Sequence, residues 1–371
     1  MKRMTTVRTA VSIAAAGTAL GVAGLVLLAG PAGAGEPPPA LPQISAEDLV
    51  SSVLDTEIPA FAGSVTVDNN LGLPIPVPGM PGGDSPAQVY SAGDGRARLS
   101  LPSSTGERTV VNDGSTVWIW DSADRSVRKL PHDRADGPTA EGRLADPTGS
   151  AASLLSAMRE DSTVTVDGTA RVAGRPVYQL VLTPKPTEKT LLREIRIAVD
   201  SDLRVPLELS VLANGQADPA LRIGFTEFTP GAQDDGLFGF TPPAGATVTE
   251  GDDKATTPPS EATRRDWLSA VQPQVIGSGW DSVLAGKLPA GLLNGTATGT
   301  ATGDGSAIGR RGAAFTPRAL LDQFGTKVSG PYGDGWLIST SVGGALVTSD
   351  GRVAVGAVPE QVLADAVGQV K

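Results

Sequence analysis

The stretch 191–199, LLREIRIAV, alternates apolar and charged side chains with a period of two. In an extended chain Ile195, Ile197 and Val199 share one face, while charged residues occupy the other. Such alternation predicts a β-strand with one buried face. The stretch 205–211, VPLELSV, repeats the pattern and predicts a neighbouring strand.

Nine further runs of β-branched and aliphatic residues lie between Phe61 and Phe228, separated by Gly, Asp, Asn and Pro. The turns 112–114 (NDG) and 214–215 (NG) are typical of hairpins. The spacing predicts an antiparallel meander, in a single sheet large enough to curl. The fold class is therefore mainly β with some α, that is, α+β.

Two predicted helices accompany these strands, one that begins at Ser45 and ends near Thr56 and one over 147–158. Neighbouring strands are about 4.8 Å apart and a helix is about 10 Å across, so two short helices cannot cover the sheet. Either the sheet curls on itself, or part of its apolar face stays open for a ligand.

Twelve apolar residues on the predicted strands are candidates for lining that ligand site. They are Val65, Leu99, Leu101, Trp118, Trp120, Leu180, Leu182, Ile195, Ile197, Leu207, Leu209 and Ile223. Core packing is the alternative for the two tryptophans, because large aromatic side chains more often fill cores than contact ligands.

A proline-rich apolar stretch, 71–81 (LGLPIPVPGMP), interrupts the strand pattern. Its prolines exclude a helix or a central strand, yet it is too apolar for an ordinary solvated loop. We expect a lid or rim over the apolar cavity, or a patch that contacts a membrane or partner; a permanent plug of the cavity end is the alternative. The candidate rim residues are Leu71, Leu73, Ile75, Val77 and Met80.

The N-terminus has the pattern of an export signal. Lys2, Arg3 and Arg8 precede an uncharged run over 9–35, and Ala32-Gly33-Ala34 matches a signal-peptidase site. We expect a signal peptide over 1–34 and an extracytoplasmic protein, secreted or in the cell envelope. An uncleaved segment that tethers the protein to the membrane is the alternative.

The composition argues against most enzyme, metal-binding and nucleic-acid-binding functions. The chain has no cysteine and a single histidine, His132, within a loop-like stretch. Cysteine nucleophiles and the usual zinc sites are excluded, and a histidine base would need a positioned neighbour. The formal net charge of −10 disfavours a nucleic-acid surface. We therefore expect no enzyme activity, no cofactor, no metal and no nucleic-acid partner.

Composition shifts divide the rest of the chain. A Pro-rich spacer over 35–44 precedes the sheet region, 45–250, and a linker with a low-complexity Gly/Thr/Ala run covers 251–313. Within that linker region, 274–288 is predicted as a strand centred on Trp280. A small C-terminal α+β module occupies 314–371, with a predicted helix at each end.

Three motifs resemble the LolA-type lipoprotein carriers and the related LolB and RseB/MucB proteins. They are 111–121 (VNDGSTVWIWD), 182–185 (LTPK) and 238–248 (FGFTPPAGATV), in the same order as in that family. The resemblance implies an unclosed antiparallel β-barrel of about eleven strands, capped by helices around an acyl-chain cavity. It also implies a gating arginine near the strand 95–101, for which Arg96 and Arg98 are the candidates.

The pattern and the resemblance together predict an exported, non-enzymatic protein that binds lipid or lipoprotein acyl chains, as a carrier or chaperone. An acyl chain gains about 0.8 kcal/mol for each CH₂ removed from water, so a dry aliphatic cavity suffices. The expected partner is a lipid or acylated protein, with a membrane protein as a further candidate. Two alternatives are an RseB-like envelope-stress or sigma-factor regulatory sensor, since the C-terminal module resembles the RseB arrangement, and a cell-wall-associated binding module with a filled barrel.

Overall fold

The structure is a computed structural model that describes residues 37–72, 85–103, 106–131, 161–250, 271, 273–289, 291, 293 and 317–370. The chain divides between Ala40 and Leu41, and every element below belongs to the unit 41–371.

The N-terminal part of this unit is one large sheet of twelve strands, in the order β12-β6-β5-β4-β3-β2-β1-β11-β10-β9-β8-β7. The strands are β1 (Ala60–Asn69), β2 (Ala87–Ala92), β3 (Ala97–Ser103), β4 (Gly106–Asn112), β5 (Thr116–Asp121), β6 (Ser126–Pro131), β7 (Ser162–Val172), β8 (Arg175–Pro184), β9 (Leu192–Asp200), β10 (Pro206–Ala213), β11 (Leu221–Pro230) and β12 (Thr247–Glu250). The predicted α+β fold class with an unclosed sheet is confirmed.

Hairpin turns produce the antiparallel order. Between β4 and β5, Gly114 adopts a positive φ of 93°, a conformation that favours glycine. The Asp113 carboxylate accepts hydrogen bonds from the backbone N–H groups of Ser115 and Thr116 in the same turn, at 2.9 and 2.8 Å. The turn motif seen in the sequence therefore sets the register of β4 against β5.

The large sheet has one strand more than predicted. After β11 the chain passes through a 3₁₀ turn (Asp235–Phe238) and then lies along β6 as β12, parallel to it. A long return connection, unlike a hairpin, permits this parallel pairing. The sequence pattern missed β12 because it is only four residues long and mostly exposed.

The sheet is strongly curled on the β7 side. Strand β7 approaches β11 although β10, β9 and β8 lie between them. Register bulges interrupt the pairing of β1 with β11, of β10 with β9 and of β7 with β8. Bulges increase local twist and bend strands, which explains the curl.

We call the face of the large sheet that carries Ile197 the inner face. Register continues it through Leu209, Ile223 and Val67, and across the other half through Val89, Leu99, Val110 and Ile119. The opposite side is the outer face. One continuous apolar surface thus crosses the sheet, as the alternating pattern predicts.

Helix α1 (Ala46–Leu54) lies on the inner face. It begins after Ser45, whose Oγ accepts a hydrogen bond from the Asp48 N–H at 3.0 Å. The helix buries Leu49, Val50 and Val53. The predicted capped amphipathic helix is confirmed.

A second sheet follows, with six strands in the order β13-β14-β18-β17-β16-β15. The strands are β13 (Gln274–Ile276), β14 (Val283–Lys287), β15 (Thr326–Gly330), β16 (Gly333–Ser339), β17 (Gly344–Thr348) and β18 (Arg352–Gly356). Helix α2 (Pro317–Phe324) packs on one face through Leu321, and helix α3 (Glu360–Gln369) packs on the other. Both helices were predicted.

The six-stranded sheet begins earlier than residue 314, because β13 and β14 come from the region predicted as linker. The single strand predicted over 274–288 is wrong. Gly277 and Gly279 have positive φ values of 85° and 59°, and the chain reverses there through a 3₁₀ turn (Gly279–Asp281). Trp280 therefore lies in a connection between two strands instead of at the centre of one.

Several predicted features lie outside the described residues. They are the signal segment 1–34, the rim residues Leu73, Ile75, Val77 and Met80, His132, the helix predicted over 147–158, and most of the low-complexity run.

Candidate functional site: a cleft beside helix α1

Helix α1 and one half of the inner face form a single apolar cluster, which we call the helix-covered cluster. Its buried members are Leu49, Val50, Val53, Tyr178, Leu180, Leu182, Ile195, Ile197, Val199 and Trp280, with Val164, Val166, Leu209 and Val211 packed against them. The Tyr178 hydroxyl donates a hydrogen bond to the Pro42 carbonyl at 2.9 Å, which ties the chain before α1 to the sheet.

An open cleft of about 220 Å³ lies between α1 and β7. It is lined by Ala46, Glu47 and Val50 of the helix and by Val164 of the strand. Ala46, Val50 and Val164 also belong to the helix-covered cluster. The cleft therefore borders the helix-covered cluster, and Glu47 is the one charged residue in its lining.

Trp280 also packs in the helix-covered cluster, although it is distant in sequence from α1. Only 4 % of its surface is exposed, although it belongs to the connection between β13 and β14. Its indole N–H donates to Ser162 Oγ at 2.8 Å and its backbone N–H donates to Glu188 Oε2 at 2.9 Å. The sequence pattern did not predict this role. A single tryptophan in an otherwise glycine-rich and polar connection, 277–282, was the available signal.

Five of the predicted ligand-lining residues meet here. Leu180, Leu182, Ile195 and Ile197 are at most 5 % exposed, and Leu209 packs against them. Ile223 is half-buried and in register with Leu209. The surface expected to surround an empty volume is thus covered by α1 and Trp280.

Four other predicted lining residues belong to a second group, the aromatic cluster, which is built on Phe61, Phe225 and Phe228. Leu99 and Leu207 are buried in it, and Val65 and Leu101 pack against it. The three rings contact one another with centroids 4.8 to 5.7 Å apart. The predicted residues therefore divide between two clusters.

Trp118 and Trp120 lie on the outer face, so the structure does not bring them together with the predicted lining residues beneath α1. Their neighbours Val117 and Ile119 point to the inner face and are buried in the aromatic cluster. The Trp118 indole donates to Asp113 Oδ2 at 2.9 Å, and its ring lies 5.6 Å from that of Phe240. Both tryptophans are half-buried there, and core packing stays the alternative for them.

Asp113 also shows how this outer-face packing affects ionisation. Burial opposes the charged form, but hydrogen bonds from the Trp118 indole, Ser115 and Thr116 outweigh it and lower the pKa of Asp113 to about 2. The turn of the first motif and its tryptophan are therefore joined by one ionised carboxylate.

Arg96 and Arg98, the candidate gate residues, do not line the cleft beside α1. Arg96 pairs with Asp235 at 3.0 Å and its guanidinium lies 5.3 Å from the ring centroid of Phe238. Arg98 donates to the Leu237 carbonyl at 3.4 Å. Both arginines thus hold the 3₁₀ turn that precedes β12 on the outer face.

Leu71 is the one rim residue that the structure describes. It is half-buried, and its carbonyl accepts a hydrogen bond from the Ser341 N–H of the six-stranded sheet region at 3.4 Å. This places Leu71 at the junction of the two sheets, away from the residues that line the cleft.

A buried ion pair holds the connection between β9 and β10. Arg175 donates two hydrogen bonds to the Asp200 carboxylate, which is fully buried and also accepts from the N–H groups of Asp202 and Leu203. Burial opposes ionisation of Asp200, but these hydrogen bonds outweigh it, so its pKa lies below the ordinary value. Arg175 also lies 6.0 Å from the Phe228 ring, which connects the pair to the aromatic cluster.

Within the described part of the chain, no three acidic or histidine side chains are grouped so as to hold a metal ion. None of the described helices has the length and hydropathy of a membrane span. The chemistry that the cleft offers is apolar contact, with Glu47 as the charged group at its edge.

No protein-family model matches the chain, and no curated protein sequence does. Among solved structures, the chain is similar to the MucA/MucB complex of Pseudomonas aeruginosa, with 18 % identity, 87 % of this chain and 96 % of that chain covered, and a TM-score of 0.43. A LolA superfamily protein of Nitrosomonas europaea matches with 13 % identity over 53 % of this chain and 99 % of that one, at a TM-score of 0.24.

A putative outer membrane lipoprotein-sorting protein domain of Vibrio parahaemolyticus matches with 11 % identity over 52 % of this chain and 97 % of that one, at a TM-score of 0.19. MucB and LolA-superfamily proteins, which the three sequence motifs resemble, are thus among the solved structures that match.

Proposed function

We propose that this chain is an exported, non-enzymatic protein that binds the acyl chain of a lipid or lipoprotein between α1 and the inner face of the large sheet. The observation that carries the proposal is the cleft beside α1. Three of the four residues that line it belong to the helix-covered cluster, so a hydrocarbon chain bound there would contact the edge of that apolar cluster.

The helix that covers this surface is suited to move aside. Helix α1 has nine residues, and a helix shorter than about 12 residues is marginal on its own in water. Its position depends on the packing of Leu49, Val50 and Val53 against the sheet. An acyl chain offers the same kind of contact, at about 0.8 kcal/mol for each buried CH₂, and so can replace the helix.

The test is to fill the cleft. Val164→Trp places a large side chain in the entrance, whereas Thr165→Trp adds the same side chain to an exposed position of the same strand. Titration with a fluorescent fatty acid should show at least about tenfold weaker binding for Val164→Trp, or about 1.4 kcal/mol. The Thr165→Trp protein should bind as the unaltered chain does.

Two results would contradict the proposal: no fatty acid uptake by the unaltered chain, together with no lipid in organic extracts by mass spectrometry, or equal binding by both variants. Absence of uptake would favour the third reading, a cell-wall-associated module whose sheet is permanently filled by its own side chains.

A regulatory sensor is the second candidate, and Trp280 favours it. A carrier that only ferries lipid needs no second sheet attached to the helix-covered cluster, whereas a sensor needs an element that changes with occupancy. Pull-down from membranes separates the two functions. One recovered membrane regulator indicates sensing, and many recovered acylated proteins indicate carriage.

A further inference from the structure

We infer that Trp280 is a displaceable plug that couples occupancy of the cleft to the attachment of the six-stranded sheet. The inference rests on the proposed function, because it assigns the ligand entering beside α1 a competitor inside the protein. It adds a specific residue, a direction of movement and a consequence for the second sheet.

Trp280 is buried beside β7, the strand that lines the cleft. Its ring is buried in the helix-covered cluster, and Ser162, which accepts the hydrogen bond from its indole, lies two residues before the cleft-lining Val164 in β7. Protein interiors are close-packed, with few voids larger than a water molecule. An acyl chain that extends inward from the cleft and the indole of Trp280 therefore compete for the same volume.

Trp280 is held in place by specific contacts with the large sheet. Two hydrogen bonds anchor it, one from the indole N–H to Ser162 Oγ and one from the backbone N–H to Glu188 Oε2. Gly279, next to it, approaches Asp161 so closely that an added Cβ would lie 2.5 Å from the Asp161 carboxyl carbon. The connection is thus docked as a fitted unit on the start of β7 and on the loop between β8 and β9.

Trp280 is joined through the chain to the six-stranded sheet. The residues that follow it form β14, which pairs with β18 from Val283 opposite Gly356 to Lys287 opposite Arg352. Immediately beyond β18, the Ala357 carbonyl accepts hydrogen bonds from the Thr190 hydroxyl at 2.7 Å and the Leu191 N–H at 2.9 Å. Movement of Trp280 out of the cluster therefore pulls on the strand pair that is bonded to the same β8–β9 loop.

The expected consequence is an equilibrium between a plugged and an open arrangement. Where the open state is about 10 % populated or less, a ligand that needs it binds at least about tenfold more weakly than to an open site. Removing the Trp280 side chain should therefore raise the ligand affinity by about that factor, and bound ligand should weaken the contacts between the two sheets.

The experiment compares the full chain with Trp280→Ala and with Trp336→Ala. Trp336 is the matched control, because it is equally buried and its indole donates to Asp322 at 2.9 Å, but it lies in the six-stranded sheet away from the cleft. Titration with a fluorescent fatty acid should show about tenfold tighter binding for Trp280→Ala and unchanged affinity for Trp336→Ala.

Hydrogen exchange supplies the second readout. In the unaltered chain, saturating fatty acid should increase exchange of the amides of β13 and β14, and Trp280→Ala should show that increase without ligand. Should Trp280→Ala not fold, Ser162→Ala removes the acceptor of the indole N–H and should tighten binding by a smaller factor.

The outcomes separate this inference from the proposed function. Equal affinity for the unaltered chain and the Trp280 and Ser162 variants overturns the plug, while acyl-chain binding stands. Unchanged exchange of β13 and β14 on ligand binding overturns the coupling. Failure of the unaltered chain and all variants to bind fatty acid removes the proposed function and this inference together.

Discussion

The two apolar clusters on the inner face are filled in different ways. In the aromatic cluster the filling side chains, Phe61, Phe225 and Phe228, project from the strands themselves. In the helix-covered cluster the filling comes from α1 and from Trp280, which lie outside the sheet in the chain. Only the second kind of filling can leave without unfolding a strand. Room for a ligand is therefore expected beside α1 and not beside the phenylalanines.

The largest expected effect is on the aromatic cluster. Phe228→Ala removes a ring that stacks on Phe61 at 4.8 Å and is 6 % exposed. We expect a loss of about 3–5 kcal/mol in the free energy of unfolding, because a large buried side chain leaves a cavity. Urea denaturation measures it. Fatty acid affinity of the folded protein should stay unchanged, and a marked change would show that the two clusters form one ligand site.

A nearly equal effect is expected from the ion pair beside Phe228. Asp200→Asn leaves Arg175 without its carboxylate, and breaking a buried pair on one side should lower the free energy of unfolding by about 3 kcal/mol. The folded-state pKa of Asp200 lies below its unfolded value. The pair therefore stabilises the fold above the unfolded pKa of about 3.9 and loses its contribution as pH falls through the folded-state pKa.

Unfolding curves between neutral and acidic pH test this sign. The acid loss of stability should be smaller in Asp200→Asn than in the unaltered chain. An identical pH dependence in both proteins would show that another carboxylate controls the loss of stability at acidic pH.

A smaller effect on stability, with an opposite effect on binding, is expected in the helix-covered cluster. Leu49→Ala removes a fully buried side chain of α1 and should lower the free energy of unfolding by about 2–3 kcal/mol. Because α1 then packs less strongly on the sheet, an acyl chain should displace it more readily, and fatty acid should bind more tightly. Leu54→Ala is the matched control on the same helix, because Leu54 is 41 % exposed. Weaker binding by Leu49→Ala would mean that α1 forms part of the bound site.

The smallest effect is expected at Arg96. Its partners Asp94 and Asp235 are largely exposed, and surface ion pairs contribute little to stability because solvent and salt screen them. Arg96→Ala should therefore change the free energy of unfolding little and leave fatty acid binding unchanged. A large loss of binding would restore Arg96 as a gate residue.

Much of the fold could be predicted from local pattern. Alternation identified the strands around Ile197 and Leu209, and the Ser45 cap identified α1, because both signals depend on neighbouring residues. The candidate site was predicted in part. The side chains of Leu180, Leu182 and Ile195 do meet, but what covers them could not be read from the strands.

The placements that the sequence did not predict have a common cause. Strand pairing places Trp118 on the outer face, with Phe240 beside it. Arg96 and Arg98 are gate candidates because the resemblance implies an arginine near the strand 95–101, whereas their partners come from the turn after β11. In each case the deciding neighbour is distant in the chain.

By itself, the sequence determined most strands of the large sheet, their hairpin turns, the capped helix and the apolar stripe that the strands share. These depend on backbone preference and on a period of two, which act over a few residues. Only the tertiary structure decided which face is covered, that β12 runs parallel to β6, and that Trp280 reaches the cluster beneath α1. Those contacts depend on the register and curl of the whole sheet, and neither is a property of any single stretch of chain.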